Sequence, residues 1–464
     1  MALWRWLILI ILAVGTGCTD DQPLIKRTAL QGVTIIDGGG NTPLSDQVVV
    51  LRDDRIEKII AADVYSPDPG TIVHELQGHF VIPGLIDMHA HVSILSLESL
   101  AQPEPDADHE TSKRVLKILL AHGITTVRNP AAPTEDGISL RDSVASGAFP
   151  GPRIFTSGYV LNRRTFGPYL NMRTADAVRA EISHQADAGV DYIKVYAALP
   201  SDLVETAIEA AHGHGLKVVG HLQRTTWTEA ARMGIDAITH GSPWSRSYLP
   251  AARQKDYIPT LKGRIYWLQN LDLQAPAILE MVEALVENDV TIDPTIIAYH
   301  TKFWGDDARY RNHPDLGLTP PVIREVWRAS DFTSDWTAKD FIDARAVWPK
   351  LKEFIKLLYD RGVLLTAGSD LPNPWVIPGV SLHEELALLT DLGISPLEVL
   401  KIATHNGAVA LGIDADTGMV EVGKRADILV LTEDPLKDIR NTRSIKWTIK
   451  SGVIMEPSLL LQEN

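Results

Sequence analysis

The chain has 464 residues, 45% hydrophobic and 22% charged, the balance of a folded globular protein and not of a disordered or fibrous one. Its 44 basic residues against 59 acidic ones leave a net charge of -15. That argues against nucleic acid as a partner, because phosphate binding needs a basic face.

In chain order, the first segment is not expected to belong to the fold. Arg5 is the only charge before Leu7-Ile8-Leu9-Ile10-Ile11-Leu12-Ala13-Val14. This apolar core is too short for a comfortable membrane span, and small residues Gly15-Thr16-Gly17 follow it. Then comes Cys18, the only cysteine. The arrangement resembles a bacterial lipoprotein signal over residues 1–18, in which Cys18 would be lipidated and become the mature N-terminus. Gly15 departs from the Leu usual three residues before such a cysteine. An ordinary secretory signal with an incidental cysteine is the alternative. Either reading implies export, to the bacterial periplasm or as an outer-membrane lipoprotein, with the membrane met only through a lipid anchor at Cys18. No disulfide is available, since there is no second thiol.

Residues 28–80 read as short strands with turns. Val33-Thr34-Ile35-Ile36 runs into the turn Asp37-Gly38-Gly39-Gly40-Asn41, and Arg52-Asp53-Asp54-Arg55 separates two apolar runs as a hairpin. The glycine triplet opens no helix, so it reads as a turn and not as a phosphate loop. After residue 80, strands alternate with helical patterns such as 201–214 and 226–233, which argues for parallel βα units. Eight strands are expected, at 80–88, 123–128, 152–157, 191–196, 217–220, 237–239, 290–295 and 363–367. The fold class is therefore α/β, a (β/α)8 TIM barrel over residues 81–414. Insertions lie between the sixth and seventh strands and around Trp304 to Trp348, where a lid and a plain surface excursion are both open. From Asp416 short strands return. Residues 28–80 plus 415–455 are expected to form a small discontinuous β-sandwich built from both chain ends.

The chemistry concentrates at strand ends. His89-Ala90-His91 follows the apolar run 80–88, and strand side chains alternate with period two, so both imidazoles point to one side. Lys194 lies in Tyr192-Ile193-Lys194-Val195-Tyr196. His221 follows Val219-Gly220, His240 follows Ile238-Thr239, and Asp370 follows Ala367-Gly368-Ser369. In a barrel the C-terminal strand ends converge on one mouth, where barrel enzymes place their chemistry. A lone strand-end His is more often structural than a ligand. Six such residues at strand ends are hard to attribute to chance.

These segments, with Val81-Ile82-Pro83-Gly84-Leu85-Ile86-Asp87-Met88, Gly123-Ile124-Thr125-Thr126-Val127-Arg128 and Gly423-Lys424-Arg425-Ala426-Asp427, resemble the metal-dependent amidohydrolase superfamily over about residues 28–455. The likeness is to its imidazolonepropionase-like branch and to its binuclear Xaa-Pro dipeptidases and carboxypeptidases. The resemblance implies two divalent metal ions, with zinc suited to imidazole and carboxylate ligands. His89, His91 and Asp370 would hold one ion, and His221 and His240 the other. Lys194, carboxylated by carbon dioxide, would bridge them. A hydroxide bridging the metals would attack an amide or peptide carbonyl, with Asp370 as base and then acid. Tyr196 would face the site beside Lys194 and bond an oxyanion or a substrate carboxylate; packing is its other reading.

The implied substrate is a small molecule, a dipeptide or an N-acyl amino acid. A lactonase or ester hydrolase would share every ligand. A mononuclear cyclic-amidine hydrolase or deaminase is disfavoured, because Lys194 is present and no acid follows His221. A non-catalytic binding lipoprotein would have no reason to keep the set. Relatives assemble into homo-oligomers, which this sequence leaves open. The loop 158–167 carries no histidine where dipeptidase-like relatives often have one, and its Arg163 and Arg164 read either as partners of an anionic substrate group or, by preference, as solvated loop charges. His383 reads as structural or as a support to the site. His405 reads as part of a capping turn. His300 is the remaining histidine near a mouth loop.

Overall fold

A computed structural model describes residues 27–102, 104–164 and 167–462. The signal and lipidation expectations for residues 1–18 lie outside these. The strands are β1 (Arg27–Ile35), β2 (Leu44–Arg52), β3 (Arg55–Ala61), β4 (Ile72–Glu75), β5 (Phe80–Pro83), β6 (Leu85–Asp87), β7 (Ile124–Asn129), β8 (Arg153–Thr156), β9 (Val160–Asn162), β10 (Tyr169–Asn171), β11 (Tyr192–Val195), β12 (Lys217–Gly220), β13 (Ala237–Thr239), β14 (Thr291–Asp293), β15 (Ile428–Leu431), β16 (Ile445–Lys450) and β17 (Val453–Met455).

Both ends of the described chain enter one eight-stranded sheet, in the order β17-β16-β15-β5-β1-β2-β3, with β4 beside β1. The junction is the antiparallel pair β5–β15, where Val81 faces Val430 and Ile82 faces Leu429. Pairing of the two ends is therefore present. The hydrogen bonds join these strands into one continuous sheet. Leu30, Val49, Val81, Ile428 and Val430 give this sheet its own buried cluster.

The run 80–88, expected as one strand, is divided at Gly84. Its first half stays in the end sheet, and its second half opens the parallel part. A Cβ at Gly84 would lie 2.2 Å from Thr125 Oγ1, so a glycine is needed where the chain changes sheets.

The parallel part holds a three-stranded sheet, β6-β7-β8, and a six-stranded sheet, β10-β9-β11-β12-β13-β14. Backbone hydrogen bonds and an isolated bridge, Ala90 to Leu371, link the two sheets. Asp191 N–H donates to Thr156 O at 2.9 Å, and Met88 N–H donates to Ala367 O at 2.8 Å. The expected eighth strand at 363–367 is reduced to one bridge, Leu365 to Ile292. Just past it, Gly368 runs so near His89 that a Cβ would lie 2.9 Å from the histidine Cβ. Ladder pairing thus yields two parallel sheets with bridged edges and not an uninterrupted ring. Ile124, Ile193, Ile238, Ile292 and Leu365 bury their side chains in one large core with the surrounding helices. Each such burial contributes roughly 1.5–3 kcal/mol.

The insertion around Trp304 to Trp348 is helical, with helices at Ala308–Arg311, Pro321–Ala329 and the start of Ala338–Asp360. It is not a detached excursion. Trp327 donates its indole N–H to Pro372 O at 2.8 Å, and Phe332 reaches the cavity described next.

Candidate active site

A cavity of about 350 Å³ opens where the parallel strands end. His89, His91, Lys194, Tyr196, His221, His240 and Asp370 all line it. His89 and His91 follow β6, Lys194 lies on β11, His221 and His240 follow β12 and β13, and Asp370 follows the bridge at Leu365.

One end of the cavity gathers His89, His91 and Asp370. One ligand atom from each falls within 4.8 Å of the other two. Asp370 Oδ1 lies 3.3 Å from His89 Nε2 and 3.8 Å from His91 Nε2. At the other end, His221 Nδ1 and His240 Nε2 are 2.8 Å apart, and His240 Nδ1 lies 3.9 Å from Asp370 Oδ2. His89 and His240 rings are 5.0 Å apart, so the two ends adjoin.

His240 and Asp370 both have left-handed backbone, at φ 75° and 60°. That conformation is costly for residues with a Cβ, on the order of 1–3 kcal/mol each, and persists where surroundings enforce it. Here His240 N–H donates to Asp293 O, and Asp370 N–H donates to His89 O, both at 2.7 Å. These bonds turn the two side chains into the cavity.

A set of residues that sequence reasoning missed braces the ligands from behind. Asp293 Oδ2 lies 2.7 Å from His89 Nδ1, leaving His89 Nε2 to face Asp370. The other Asp293 oxygen takes the Arg128 guanidinium, and Arg128 Nε–H also donates to Met88 O at 2.7 Å. Asp87 accepts from His89 N–H at 3.1 Å, Ser369 N–H at 3.0 Å and Ser369 Oγ–H at 2.7 Å, tying the first ligand segment to the last. Carboxylates behind ligating imidazoles fix ring orientation and raise ligand basicity.

The electrostatics suit cations. Burial drives the His89, His221 and His240 imidazoles well below their usual range and His91 down to about 3, so all four are neutral with lone pairs available. Burial likewise pushes Asp370 up to about 7, opposed by Lys302 and Lys194. Lys194 is pushed down to about 7, again chiefly by burial. Its Nζ donates to Thr239 Oγ1 at 3.2 Å, and among the described residues no carboxylate forms an ion pair with it. An amine in that state can lose its proton and react with carbon dioxide, whereas an ammonium beside two dications would be repelled. The residues therefore fit a two-cation centre with a carboxylated lysine.

The wall away from the ligands is aromatic and cationic. The Tyr169 and Tyr196 rings are 4.7 Å apart, and Tyr196 lies 4.4 Å from His221. Tyr169 comes from β10, just past the loop 158–167, and sequence reasoning did not single it out. Arg163 donates to Met172 O at 3.0 Å and Arg164 is exposed, so neither lines the cavity. His300 turns away and stacks on Trp304 at 4.2 Å, with Tyr310 on its Nδ1. Its neighbours Tyr299 and Lys302 line the cavity instead, with Arg264 and Gln223. His383 is structural, held by Thr442 Oγ1 at 2.8 Å and His122 O at 3.0 Å. His405 opens the helix His405–Leu411.

Comparison with known proteins agrees with this arrangement. The model of the amidohydrolase family matches residues 80–282 and 343–455. The imidazolonepropionase of Symbiobacterium thermophilum is 37% identical over 76 residues, covering 16% of this chain and 18% of that protein. A Bos taurus protein named probable imidazolonepropionase is 26% identical over 253 residues, covering 49% of this chain and 57% of its own. The chain thus spans about half the length of these curated relatives or less. Among solved structures, a Xaa-Pro dipeptidase with bound methionine in its active site superposes with a TM-score of 0.68 at 21% identity, covering 93% of this chain and 100% of that one. An A. niger ochratoxinase gives a TM-score of 0.68 at 18% identity, over 93% of this chain and 95% of its own. At these identities the likeness establishes a shared fold.

Proposed function

The chain belongs to the amidohydrolase family, and from that premise we propose that it hydrolyses an amide or peptide C–N bond of a small molecule, a dipeptide or an N-acyl amino acid, using two divalent cations, zinc by preference. We also assign the two edge-bridged parallel sheets to one (β/α)8 barrel. The observation that carries the reading is the convergence of four neutral imidazoles, Lys194 and Asp370 on one cavity.

In this reading His89, His91 and Asp370 hold one cation, and His221 and His240 the other. Lys194 would complete the set as a carbamate, formed when its neutral amine bonds to carbon dioxide and releases a proton. Cations so held supply a nucleophilic hydroxide at neutral pH and polarise the substrate carbonyl. Asp370 accepts a proton during attack and returns it to the departing amine. Tyr196 keeps its phenol proton, since burial raises it above the usual range, and can donate that hydrogen to the substrate oxygen or carboxylate. Asp293 and Arg128 hold His89 in register. The proposed location is outside the cytoplasm, with Cys18 as a lipid anchor; this rests on the sequence of residues 1–18.

The test is hydrolysis by the metal-loaded, signal-free protein of dipeptides and N-acyl amino acids, following released amine. Amine release supports the reading. A silent panel, from protein shown to carry two metals, moves the activity to lactones or esters.

A further inference from the structure

Two cations line the cavity without a carboxylate in ion-pair contact among the described residues. Arg264 lies on the helix Leu261–Gln269, and Lys302 on the helix Ile296–Phe303. Among the described residues neither side chain makes a hydrogen bond or an ion pair. Lys302 is nonetheless only 9% exposed. What they touch are aromatic faces. The Arg264 guanidinium lies 5.2 Å from the Trp244 ring centre and 6.0 Å from that of Tyr299, and Lys302 Nζ lies 5.9 Å from that of Phe332. An aromatic face steadies a cation but accepts none of its N–H bonds. Burying a charge with its donors unmet is unfavourable unless something answers it.

Among the described residues lining the cavity, Asp370 alone offers Lys302 a negative charge, and the two form no ion pair. Asp370 is the sole carboxylate among the described residues there, and it belongs to the ligand set. The placement is one-sided too. Arg264 rests against Tyr299, and the Tyr299 ring lies 6.4 Å from His240. Lys302 stands one helical turn from Tyr299, on the same face. Lys302 also falls in the stretch between residues 282 and 343 that the family model leaves unmatched.

We propose that Arg264 and Lys302 are specificity-determining residues that bind the carboxylate of an anionic amide substrate and seat it on the His221–His240 side of the cavity. This rests on the amide-hydrolase reading and sharpens it. The substrate must carry a negative group beside the scissile bond, and a neutral amide of the same shape is discriminated against. Guanidinium and ammonium together supply more donors than one carboxylate needs, so both oxygens are engaged.

The test is calorimetric binding to the metal-loaded protein. The ligands are N-acetyl derivatives of alanine, leucine, phenylalanine and proline, each as free acid and as carboxamide. The wild-type protein should bind at least one acid about 10-fold or more tighter than its amide, the range of a hydrogen bond to a charged group. Lys302→Met and Arg264→Met should each erode that ratio, and Lys302→Arg and Arg264→Lys should restore part of it. Arg264→Gln replaces Arg264→Met if the latter does not fold. Equal affinity for acids and amides overturns the proposal, as does failure to bind any acid at millimolar concentration. A preference that survives in both neutral variants puts the carboxylate on the metals and overturns it as well. Acid-selective binding without amide cleavage would keep this inference and sink the hydrolase reading. Cleavage without acid preference would do the reverse.

Discussion

The cations on the two sides of the cavity are held in opposite ways. Behind His89, Arg128 is joined to Asp293 and to Met88 O, and Asp293 in turn holds the imidazole. Across the cavity, Arg264 and Lys302 lie against aromatic faces and form no ion pair among the described residues. A charge neutralised within the chain serves geometry, and its loss should appear as instability. A charge left unmet at a cavity wall serves a ligand, and its loss should appear as weaker binding.

The largest effect should come from the residue common to both ends of the ligand set. Asp370→Ala should lower kcat/KM by about 10³-fold or more, as expected for removal of a general acid–base group, and metal analysis should show fewer bound ions. On the braced side, Asp293→Ala strands Arg128 without its counter-charge. It should cost about 3–5 kcal/mol in urea unfolding, the range for a broken buried pair, and weaken metal binding by roughly 10–100-fold.

Glu385 sharpens the contrast from within the scaffold. It accepts from Ile297 N–H at 2.7 Å, its other oxygen has no partner among the described residues, and burial raises its carboxyl to about 8. The folded chain therefore holds a proton that the unfolded chain gives up near the ordinary carboxyl range. This contribution is fully present at acid pH and is lost as pH rises from that range toward about 8. Melting of Glu385→Gln against pH should lack that decline.

On the unbraced side, Lys302→Met should leave unfolding stability unchanged or raise it, while kcat/KM for a carboxylate-bearing substrate falls about 10–100-fold, mostly through KM. A Lys302 variant that unfolds as readily as the Asp293 variant would erase the distinction. The smallest effect belongs to Trp327→Phe, which removes the bond to Pro372 O behind Asp370. It should cost about 1 kcal/mol by denaturant titration.

Much of the site was legible because strand ends announce themselves. Apolar runs that stop at His, Lys or Asp place those side chains at one mouth once the strands lie parallel. The braces were not legible. Asp293 and Arg128 read as ordinary strand residues, and only the adjacency of strands distant in sequence brings them to His89. The substrate wall was hidden for a different reason. It comes from helices, and in Ile296–Phe303 positions 299 and 302 share a face while 300 is turned about 100° away. Proximity in sequence pointed to His300, and helical geometry put Tyr299 and Lys302 in the cavity. The division of the run 80–88 was equally hidden, because a strand changing sheets is as apolar as one that continues. Gly84 was the available signal, readable only beside Thr125.

The most direct test is to count metal ions per chain in the purified, metal-loaded protein and in Lys194→Ala. Two ions in the parent, with loss of metal and of amide hydrolysis in the variant, are the result predicted for a lysine-bridged centre. A Lys194→Ala protein that keeps two ions and full activity, or a parent that binds one ion or none, would contradict it.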